Sequence, residues 1–246
     1  FFVLALALTI KEDSPINKIF SDLAQATYRI AGWVLTTLPL GLFAITYQLA
    51  GQIDFSTVTA LAQLAGVVFA ATLFHGLVVL PLIAWWASGL SPWEFFAAVS
   101  QPLVTALSTS SSAATLPLSM ATAESKLGVD RAKCAFVLPL GATANMDGTA
   151  LFEGIAAVFL AYMFGIDLST IGIIAIFLVA MLSSVGAPGI PSGSMAGMQM
   201  VMLAVGIPLE AIGLLLLIER PLDTFRTAVN VEGDLVGCLV AKRFTQ

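Results

Sequence analysis

The sequence contains few charged residues. They make up 10% of its 246 residues, whereas hydrophobic residues make up 59%. A soluble domain normally carries about 25% charged residues. Because so few charged side chains could not solvate a globular surface in water, we place the chain in a lipid bilayer.

Cysteine and histidine are also scarce. Cys134 and Cys238 each stand alone in an apolar stretch, and the sequence has no CxxC pair or Cys/His cluster. This spacing excludes a disulfide framework and a zinc site. His75 is the single histidine, and we interpret it as a packed or hydrogen-bonded side chain in an apolar helix.

The chain opens on an apolar run, FFVLALALTI. The run has neither the basic region nor the cleavage site of a signal peptide, so we interpret residues 1–10 as the end of a transmembrane helix in a longer protein. Further apolar stretches lie at about 26–50, 57–88, 95–121, 133–164, 169–205 and 207–241. The first two are long enough to span, since roughly 20 helical residues cross the hydrocarbon core.

Two segments have polar centres. Residues 101–120 contain a run of serine and threonine, and residues 183–197 are rich in glycine, proline and serine. Neither centre fits the middle of a lipid-facing helix, because each freed backbone group there would cost several kcal/mol. Both fit the tip of a helical hairpin that enters the membrane and turns back, which is the sequence pattern of a transporter's binding site.

The basic residues favour the same topology. Outside the apolar cores the basic residues are Lys11, Lys18, Arg29, Lys126, Arg131, Lys133, Lys242 and Arg243. Re-entry of both interrupted segments keeps the groups at 11–18, 126–133 and 242–243 on the inside. The side on which the basic residues lie does not distinguish a hairpin from two full crossings, because both return the chain to the side where it entered. The first segment has only about 27 residues, however, which is too few for two spans.

The last apolar stretch carries a polar stripe. Spacings of 4, 3, 4 and 4 place five polar side chains on one helical face: Glu219, Asp223, Arg226, Asn230 and Asp234. A charged side chain at the bilayer centre costs about 2.5–3.5 kcal/mol on insertion scales, so this face must contact protein, water or ligand. The alternative is a stripe of internal salt bridges, such as Asp223 with Arg226.

A second polar motif, NMDGT at 145–149, interrupts an apolar helix. Unwound backbone exposes carbonyl oxygens, and Asn145 and Asp147 add side-chain oxygens. Such oxygen-rich breaks form cation sites at membrane depth, so the motif predicts a sodium site. The alternative is a simple kink in which Asp147 pairs with a basic residue.

Four motifs together resemble the glutamate/aspartate symporter family, the dicarboxylate/amino acid:cation symporters that include the neuronal excitatory amino-acid transporters. The motifs are SSSAATLP (110–117), NMDGT (145–149), GIP (189–191) and DTFRTAVNVEGD (223–234). The resemblance implies an all-α polytopic membrane protein whose transmembrane helices are joined by two re-entrant helical hairpins and a broken helix.

The resemblance also implies a domain organisation. Residues 1–10 end a transmembrane helix, 11–56 form scaffold helix five and a loop, and 57–246 form a transport domain. The transport domain begins with helix six. It continues with hairpin 1 at about 94–123, broken helix seven at 133–164, hairpin 2 at about 169–205 and helix eight at 207–241.

Site residues follow from the same resemblance. It assigns substrate binding to Ser110, Ser111, Ser112, Thr149, Ile190, Ser194, Asp223, Arg226 and Asn230. It assigns sodium binding to Gly141, Thr143, Asn145, Asp147, Ser184, Val185, Ala187, Asn230 and Asp234. No organic cofactor is expected. Relatives keep a second arginine where this chain has Ser110 or Thr224, and we expect Arg220, one turn before Thr224, to replace it.

The predicted function is sodium-coupled symport of glutamate or aspartate by alternating access. The expected setting is a multi-pass homotrimer in the plasma (inner) membrane with no nucleic-acid partner. The alternative is a proton-coupled glutamate or C4-dicarboxylate symporter, with Glu153 as the proton site. Asp223 argues against a dicarboxylate, which has no amine to pair with it. An intramembrane serine hydrolase using Ser111 would lack a lysine base, so the chain is not expected to be an enzyme.

Overall fold

The computed structural model describes residues 14–50 and 54–244, and within those ranges the chain is helical, without a strand. The helix end predicted at 1–10 lies outside the described residues. The chain divides into two compact units, Phe1–Gln52 and Ile53–Gln246. In the first unit, helix α1 (Pro15–Ala50) is 36 residues long and starts well before the apolar stretch predicted at 26–50. Proline is favourable at the first position of a helix, where its missing N–H has no partner to lose.

The second unit is built from helices joined by short turns. Its helices are α2 (Phe55–Phe74), α3 (Leu80–Ser88), α4 (Pro92–Thr109), α5 (Ser112–Ser125), α6 (Arg131–Ala144), α7 (Asp147–Met163), α8 (Thr170–Val185), α9 (Ser194–Val205) and α10 (Ile212–Phe244). A π-helical turn, His75–Val79, joins α2 to α3. The segments Phe55–Ser88 and Arg131–Met163 are long and apolar enough to cross a membrane.

Side-chain caps define several helix starts. The carboxylate of Asp54 accepts a hydrogen bond from the backbone N–H of Thr57 at 2.8 Å, and this bond lowers the pKa of Asp54 to about 2. Ser91 and Glu94 form a capping box at the start of α4. Gly89 ends α3 with a φ of 78°, a left-handed conformation that glycine adopts without strain.

Helix α10 is the centre of the second unit and contacts α2, α3, α4, α6 and α7. One apolar cluster surrounds its first half and includes Phe152, Met198 and Leu215. A second cluster surrounds its last turns and includes Phe95 and Leu235. The polar stripe of α10 lies between these two clusters and is therefore buried in protein.

The interruptions fall at the predicted motifs. Helix α4 ends at Thr109 and α5 begins at Ser112. Helix α6 ends at Ala144 and α7 begins at Asp147. Helix α8 ends at Val185 and α9 begins at Ser194. The predicted start of the last helix at 207 is wrong. A 3-10 turn, Leu209–Ala211, precedes α10, because Gly206 at φ 76° and Pro208 interrupt the helical path.

Three chain segments meet at one end of the second unit. The Nζ of Lys242 donates to the carbonyl of Leu127 at 3.0 Å. The guanidinium of Arg243 lies 4.6 Å from the centre of the Trp86 ring and donates to the carbonyl of Trp86. The end of α10, the end of α3 and the turn after α5 therefore lie at one end of the second unit.

Candidate functional site

The turn between α4 and α5 and the turn between α8 and α9 meet beside the middle of α10. We call them the first tip (109–112) and the second tip (186–193). The hydroxyl of Ser111 donates to the carbonyl of Gly189 at 2.8 Å, and the N–H of Ala113 donates to the same oxygen at 3.1 Å. The hydroxyl of Ser110 lies 3.2 Å from that of Thr224. Both tips therefore rest on each other and on α10.

The contact between the tips requires a glycine. A Cβ added to Gly189 would lie 2.8 Å from the carbonyl oxygen of Ala142 and 3.3 Å from the backbone nitrogen of Ala113. A side chain would therefore separate the second tip from both the end of α6 and the first tip.

The second tip also bonds to the acidic residues of α10. The N–H of Ser192 donates to Asp223 Oδ2 at 3.0 Å, and its hydroxyl donates to Glu219 Oε2 at 2.9 Å. Ser192 has a φ of 60°, which is uncommon for a residue with a side chain. The family resemblance implied Ile190 and Ser194 instead. Both line the site, and the hydroxyl of Ser194 is buried without a partner.

Arg226 is the charged centre of the stripe. It is 1% exposed, and its guanidinium lies 4.0 Å from the centre of the Phe152 ring. One terminal nitrogen donates to Glu219 at 2.9 Å and to Asp223 at 3.1 Å, while Nε and NH1 have no partner. The internal salt bridge weighed as an alternative is therefore present, but it uses only part of the guanidinium.

Arg220, which we expect to replace the second arginine of the relatives, contacts Asp223. Its NH1 lies 3.3 Å from Asp223 Oδ2, and its side chain is 55% exposed. Asp223 thus contacts two arginines and the N–H of the second tip. Arg220 reaches this carboxylate from the accessible side of the site.

A small cavity of about 10 Å³ lies between the two tips, α7 and α10. Seven of the nine predicted substrate residues line it: Ser110, Ser112, Thr149, Ile190, Ser194, Asp223 and Asn230. Ser111 bonds the second tip instead, and Arg226 lies behind Asp223. A space of this size holds about one water molecule, so an amino acid fits only if a tip moves.

The NMDGT break packs against the last part of the stripe. The side-chain nitrogen of Asn145 donates to Asp234 at 3.1 Å and to the carbonyl of Asn230 at 3.4 Å. The side chain of Asn230 accepts from the N–H of Gly148 at 2.8 Å. A Cβ on Gly141 would lie 2.5 Å from Asp234. The structure therefore brings the predicted sodium residues Gly141, Asn145, Asn230 and Asp234 together.

Asp147 lies beside the same group and contacts His75. Its Oδ2 is 3.1 Å from His75 Nε2. A Cβ on Gly233 would lie 2.6 Å from Asn145 and 2.9 Å from Asp147, so glycine lets the break approach α10 closely. The sequence context of His75, an apolar helix, gave no reason to assign it to the site. The alternative interpretation of the NMDGT motif was a simple kink in which Asp147 pairs with a basic residue, and His75 is the residue that Asp147 contacts.

The remaining predicted sodium residues are more dispersed. The hydroxyl of Thr143 is exposed and donates to the carbonyl of Leu140 at 3.1 Å. Val185 is exposed, and the carbonyl of Ser184 already accepts from the N–H of Ala187 at 3.1 Å. In the part of the chain that the structure describes, no group of three or more His, Cys, Asp or Glu side chains could hold a metal ion. A sodium site here would depend on backbone carbonyls.

Glu153 lies one layer further from the tips. It is fully buried, accepts a hydrogen bond from the hydroxyl of Ser183 through Oε2, and leaves Oε1 without a partner. The missing side chain of Gly197 provides its space. A buried carboxyl group with one free oxygen is the type of group that carries a proton.

Comparison with known proteins agrees with these motifs. Residues 1–244 match the sequence profile of the sodium:dicarboxylate symporter family. The excitatory amino acid transporter 3 of Mus musculus is 39% identical over 231 residues, which cover 92% of this chain and 44% of the relative. The excitatory amino acid transporter 1 of Homo sapiens is 36% identical over 238 residues, covering 96% and 44%. The chain therefore spans about half the length of these relatives.

Proposed function

Because the chain belongs to the sodium:dicarboxylate symporter family, we propose that it forms the substrate-binding part of a sodium-coupled symporter for glutamate or aspartate. The observation that carries the proposal is the convergence of both tips, the NMDGT break and α10 on one buried cavity beside Arg226. The relatives are transporters by name, which supports a transport function rather than an enzymatic one.

Charge complementarity supports an acidic amino acid as the substrate. Such a molecule carries one ammonium group and two carboxylates. Asp223 lines the cavity and would pair with the ammonium group. The Nε and NH1 groups of Arg226, which have no partner among the described residues, are the donors that would bind the side-chain carboxylate. The α-carboxylate would accept hydrogen bonds at the first tip, where the start of α5 offers N–H groups.

Binding requires the second tip to move. Ser192 bonds to the carboxylate of Asp223, which lines the cavity, and to that of Glu219, and the cavity itself is only about 10 Å³. We propose that the tip lifts to admit the substrate, the ammonium group replaces the N–H of Ser192 at Asp223, and the tip closes again. Exchange of this kind at opposite membrane faces gives alternating access.

We propose that both tips belong to re-entrant hairpins. The turn after α5 lies at the same end of the unit as Lys242, while the first tip reaches Thr224. The rise along α10 between these two points is about 27 Å at about 1.5 Å per residue. A bilayer with its headgroups is about 40–45 Å thick. If Lys242 lies at one membrane surface, the first tip would not reach the opposite surface, which supports a hairpin over two crossings.

Sodium coupling is proposed from the chemistry of the break. The Gly141 carbonyl region, Asn145, Asn230 and Asp234 supply neutral oxygens and one carboxylate next to the cavity. Asp147 supplies a second carboxylate beside Asn145, next to Gly233. A sodium ion held there would draw the break, α6 and α10 together and so favour the arrangement that contacts the substrate.

The protein's setting follows as part of the same proposal. Two described segments are long enough to span a bilayer. We propose a multi-pass protein of the plasma (inner) membrane that assembles as a homotrimer. In this assignment residues 57–246 form the moving transport domain, and residues 11–56 belong to the scaffold.

Uptake into vesicles tests the proposal. The full-length protein is reconstituted, and entry of radiolabelled L-aspartate is measured at fixed pH with an inward gradient of sodium or of choline. We expect uptake in sodium and none in choline. Equal uptake in both would exclude sodium coupling, and uptake of succinate without aspartate would exclude the amino-acid assignment.

Proton coupling is the second candidate, and the free oxygen of buried Glu153 favours it. A pH gradient would then drive uptake without sodium. Glu153→Gln would abolish that pH-driven uptake while aspartate still bound. If uptake of the variant keeps its response to a pH gradient, Glu153 is not the proton carrier.

A further inference from the structure

A second cavity lies where the end of α3 meets the end of α10. Its volume is about 500 Å³, and it is lined by Ala87, Ser88, Gly89, Lys242 and Arg243. We call it the end cavity. Cavities of this size bind small molecules. It shares no lining residue with the cavity between the two tips, so the proposed transport site does not use it.

Both cations of the end cavity keep N–H groups for a ligand. The side chain of Arg243 is exposed, and that of Lys242 is partly exposed. Lys242 donates one hydrogen bond, to the carbonyl of Leu127 at 3.0 Å, and Arg243 donates one, to the carbonyl of Trp86. An ammonium group has three N–H donors and a guanidinium has five. Most of these donors therefore have no partner among the described residues.

Acidic side chains do not balance this positive charge. Across residues 14–50 and 54–244, every ion pair involves either His75 or an arginine at 220 or 226. The carboxylate of Glu94, in the first turn of α4, is bonded within its own capping box. The ends of α3 and α10 each contribute a partial charge of about −0.5. Two full positive charges exceed this, so the end cavity attracts an anion.

Exposed aromatic side chains lie next to the two cations. The Arg243 guanidinium is 4.6 Å from the centre of the Trp86 ring, and that ring is 5.9 Å from the ring of Phe244. Trp86 is 49% exposed and Phe244 is 71% exposed. The segment Phe55–Ser88, which is long enough to cross a membrane, ends at the same place. Tryptophan beside basic residues at the end of such a segment is typical of the headgroup level of a bilayer.

The lining selects an anion that has an apolar part. Ammonium and guanidinium groups bind phosphate oxygens well. A free phosphate ion would use the cations but would leave the rings of Trp86 and Phe244 uncovered. A zwitterionic lipid would bring a positive group to the cations. We propose that the end cavity binds the headgroup phosphate of an anionic phospholipid through Lys242 and Arg243, with the acyl chains along Trp86 and Phe244.

Such a lipid would connect segments that are distant in sequence. It would contact α3 and α10 together, and Lys242 already bonds the turn after α5. The lipid would therefore stabilise the junction of these three segments, away from both tips. The inference requires a membrane protein, but it does not depend on the substrate or the coupling ion proposed above.

A ligand series on the wild-type protein tests the proposal. Full-length protein in a neutral detergent is titrated with dioctanoyl-phosphatidylglycerol or dioctanoyl-phosphatidylcholine, and bound lipid is counted by native mass spectrometry. We expect the anionic lipid to bind roughly tenfold more tightly or better. Equal binding of the two lipids would overturn the role of the cations. Displacement of the anionic lipid by equimolar inorganic phosphate would indicate a site for free anions and overturn the lipid assignment.

Variants locate the lipid at the end cavity. Arg243→Gln should weaken phosphatidylglycerol binding roughly tenfold. Ser88→Trp should block binding by filling the space while it keeps both cations. Arg131→Gln is the matched control and should bind as wild type, because it removes an exposed cation at the start of α6 that does not line the cavity.

Two results with these variants would overturn the proposal. An equal loss of binding in Arg131→Gln would show a diffuse attraction to basic residues rather than a site. Unchanged affinity in a folded Arg243→Gln would exclude that guanidinium as a ligand. If Arg243→Gln does not fold, Lys242→Gln and Ser88→Trp decide the question, and unchanged affinity in both would overturn the proposal.

Discussion

Replacing Arg226 with cysteine should change the substrate from acidic to small neutral amino acids. Arg226 bonds Glu219 and Asp223 through one terminal nitrogen, at 2.9 and 3.1 Å, and keeps Nε and NH1 free. In the proposed complex the guanidinium with its free donors is the cationic partner of the side-chain carboxylate. Without them, a bound aspartate buries an unpaired carboxylate, while serine or alanine has no group that needs the guanidinium.

The expected loss is large. Breaking a buried ion pair by removing one partner costs about 3–5 kcal/mol. At about 1.4 kcal/mol per tenfold, aspartate affinity should fall between roughly 100-fold and several thousand-fold. The same substitution leaves Glu219 and Asp223 close together without their shared cation. The double variant Glu219→Gln/Arg226→Cys removes one of these charges and so separates the loss of substrate contact from internal repulsion.

Competition against labelled serine in the full-length variant provides the measurement, with the unfolding midpoint as a check on the fold. Arg220→Cys is the matched control, because this arginine is mostly exposed and makes a single 3.3 Å contact with Asp223. An exposed pair contributes about 0–1 kcal/mol, so aspartate affinity should fall about fivefold at most. If aspartate competes in Arg226→Cys as strongly as in the parent, Arg226 does not bind the side-chain carboxylate.

Two further predictions use the same binding assay, and one uses hydrogen exchange. Asp223→Asn should weaken aspartate binding by hundreds of times or more, since a buried charge partner of the ammonium group is lost; normal affinity in a folded variant would remove Asp223 from the site. Ser192→Ala leaves Glu219 without its hydroxyl partner and should speed hydrogen exchange of the second tip; unchanged exchange would show that this bond does not hold the tip. Gly141→Ala places a Cβ 2.5 Å from Asp234 and should raise the sodium concentration needed for binding about tenfold, whereas an unaltered sodium dependence would place the ion elsewhere.

The helical architecture follows from sequence because hydrophobic runs and their interruptions are local properties. The polar centres at 101–120 and 183–197 coincide with the turns before Ser112 and Ser194. The spacing of the stripe correctly places Glu219 to Asp234 on a buried face of α10. Helix ends are less well determined. The 3-10 turn at Leu209–Ala211, for example, depends on backbone angles that the apolar pattern of 207–241 does not encode.

Contacts between distant segments are the part that periodicity does not reveal. Ser192 contacts Asp223 because a left-handed residue in the second tip turns its N–H towards α10, and a serine among Gly, Pro and Ser gives no such signal. His75 meets Asp147 across 72 residues of sequence. From the sequence, Glu232 is recognisable only as an acidic residue on a different helical face from the polar stripe. Its burial depends on the other helices that pack against α10.

The bond between Ser192 and Asp223 would act as an internal competitor at the proposed binding site. A tethered donor acts at an effective concentration that is set by the length and stiffness of its tether, and for short flexible tethers this lies in the millimolar range. A free ligand binds only the fraction of molecules in which the tip is lifted, so its apparent dissociation constant is the intrinsic one divided by that fraction. The stiffness of residues 186–193 would then adjust affinity without any change in the groups that touch the ligand.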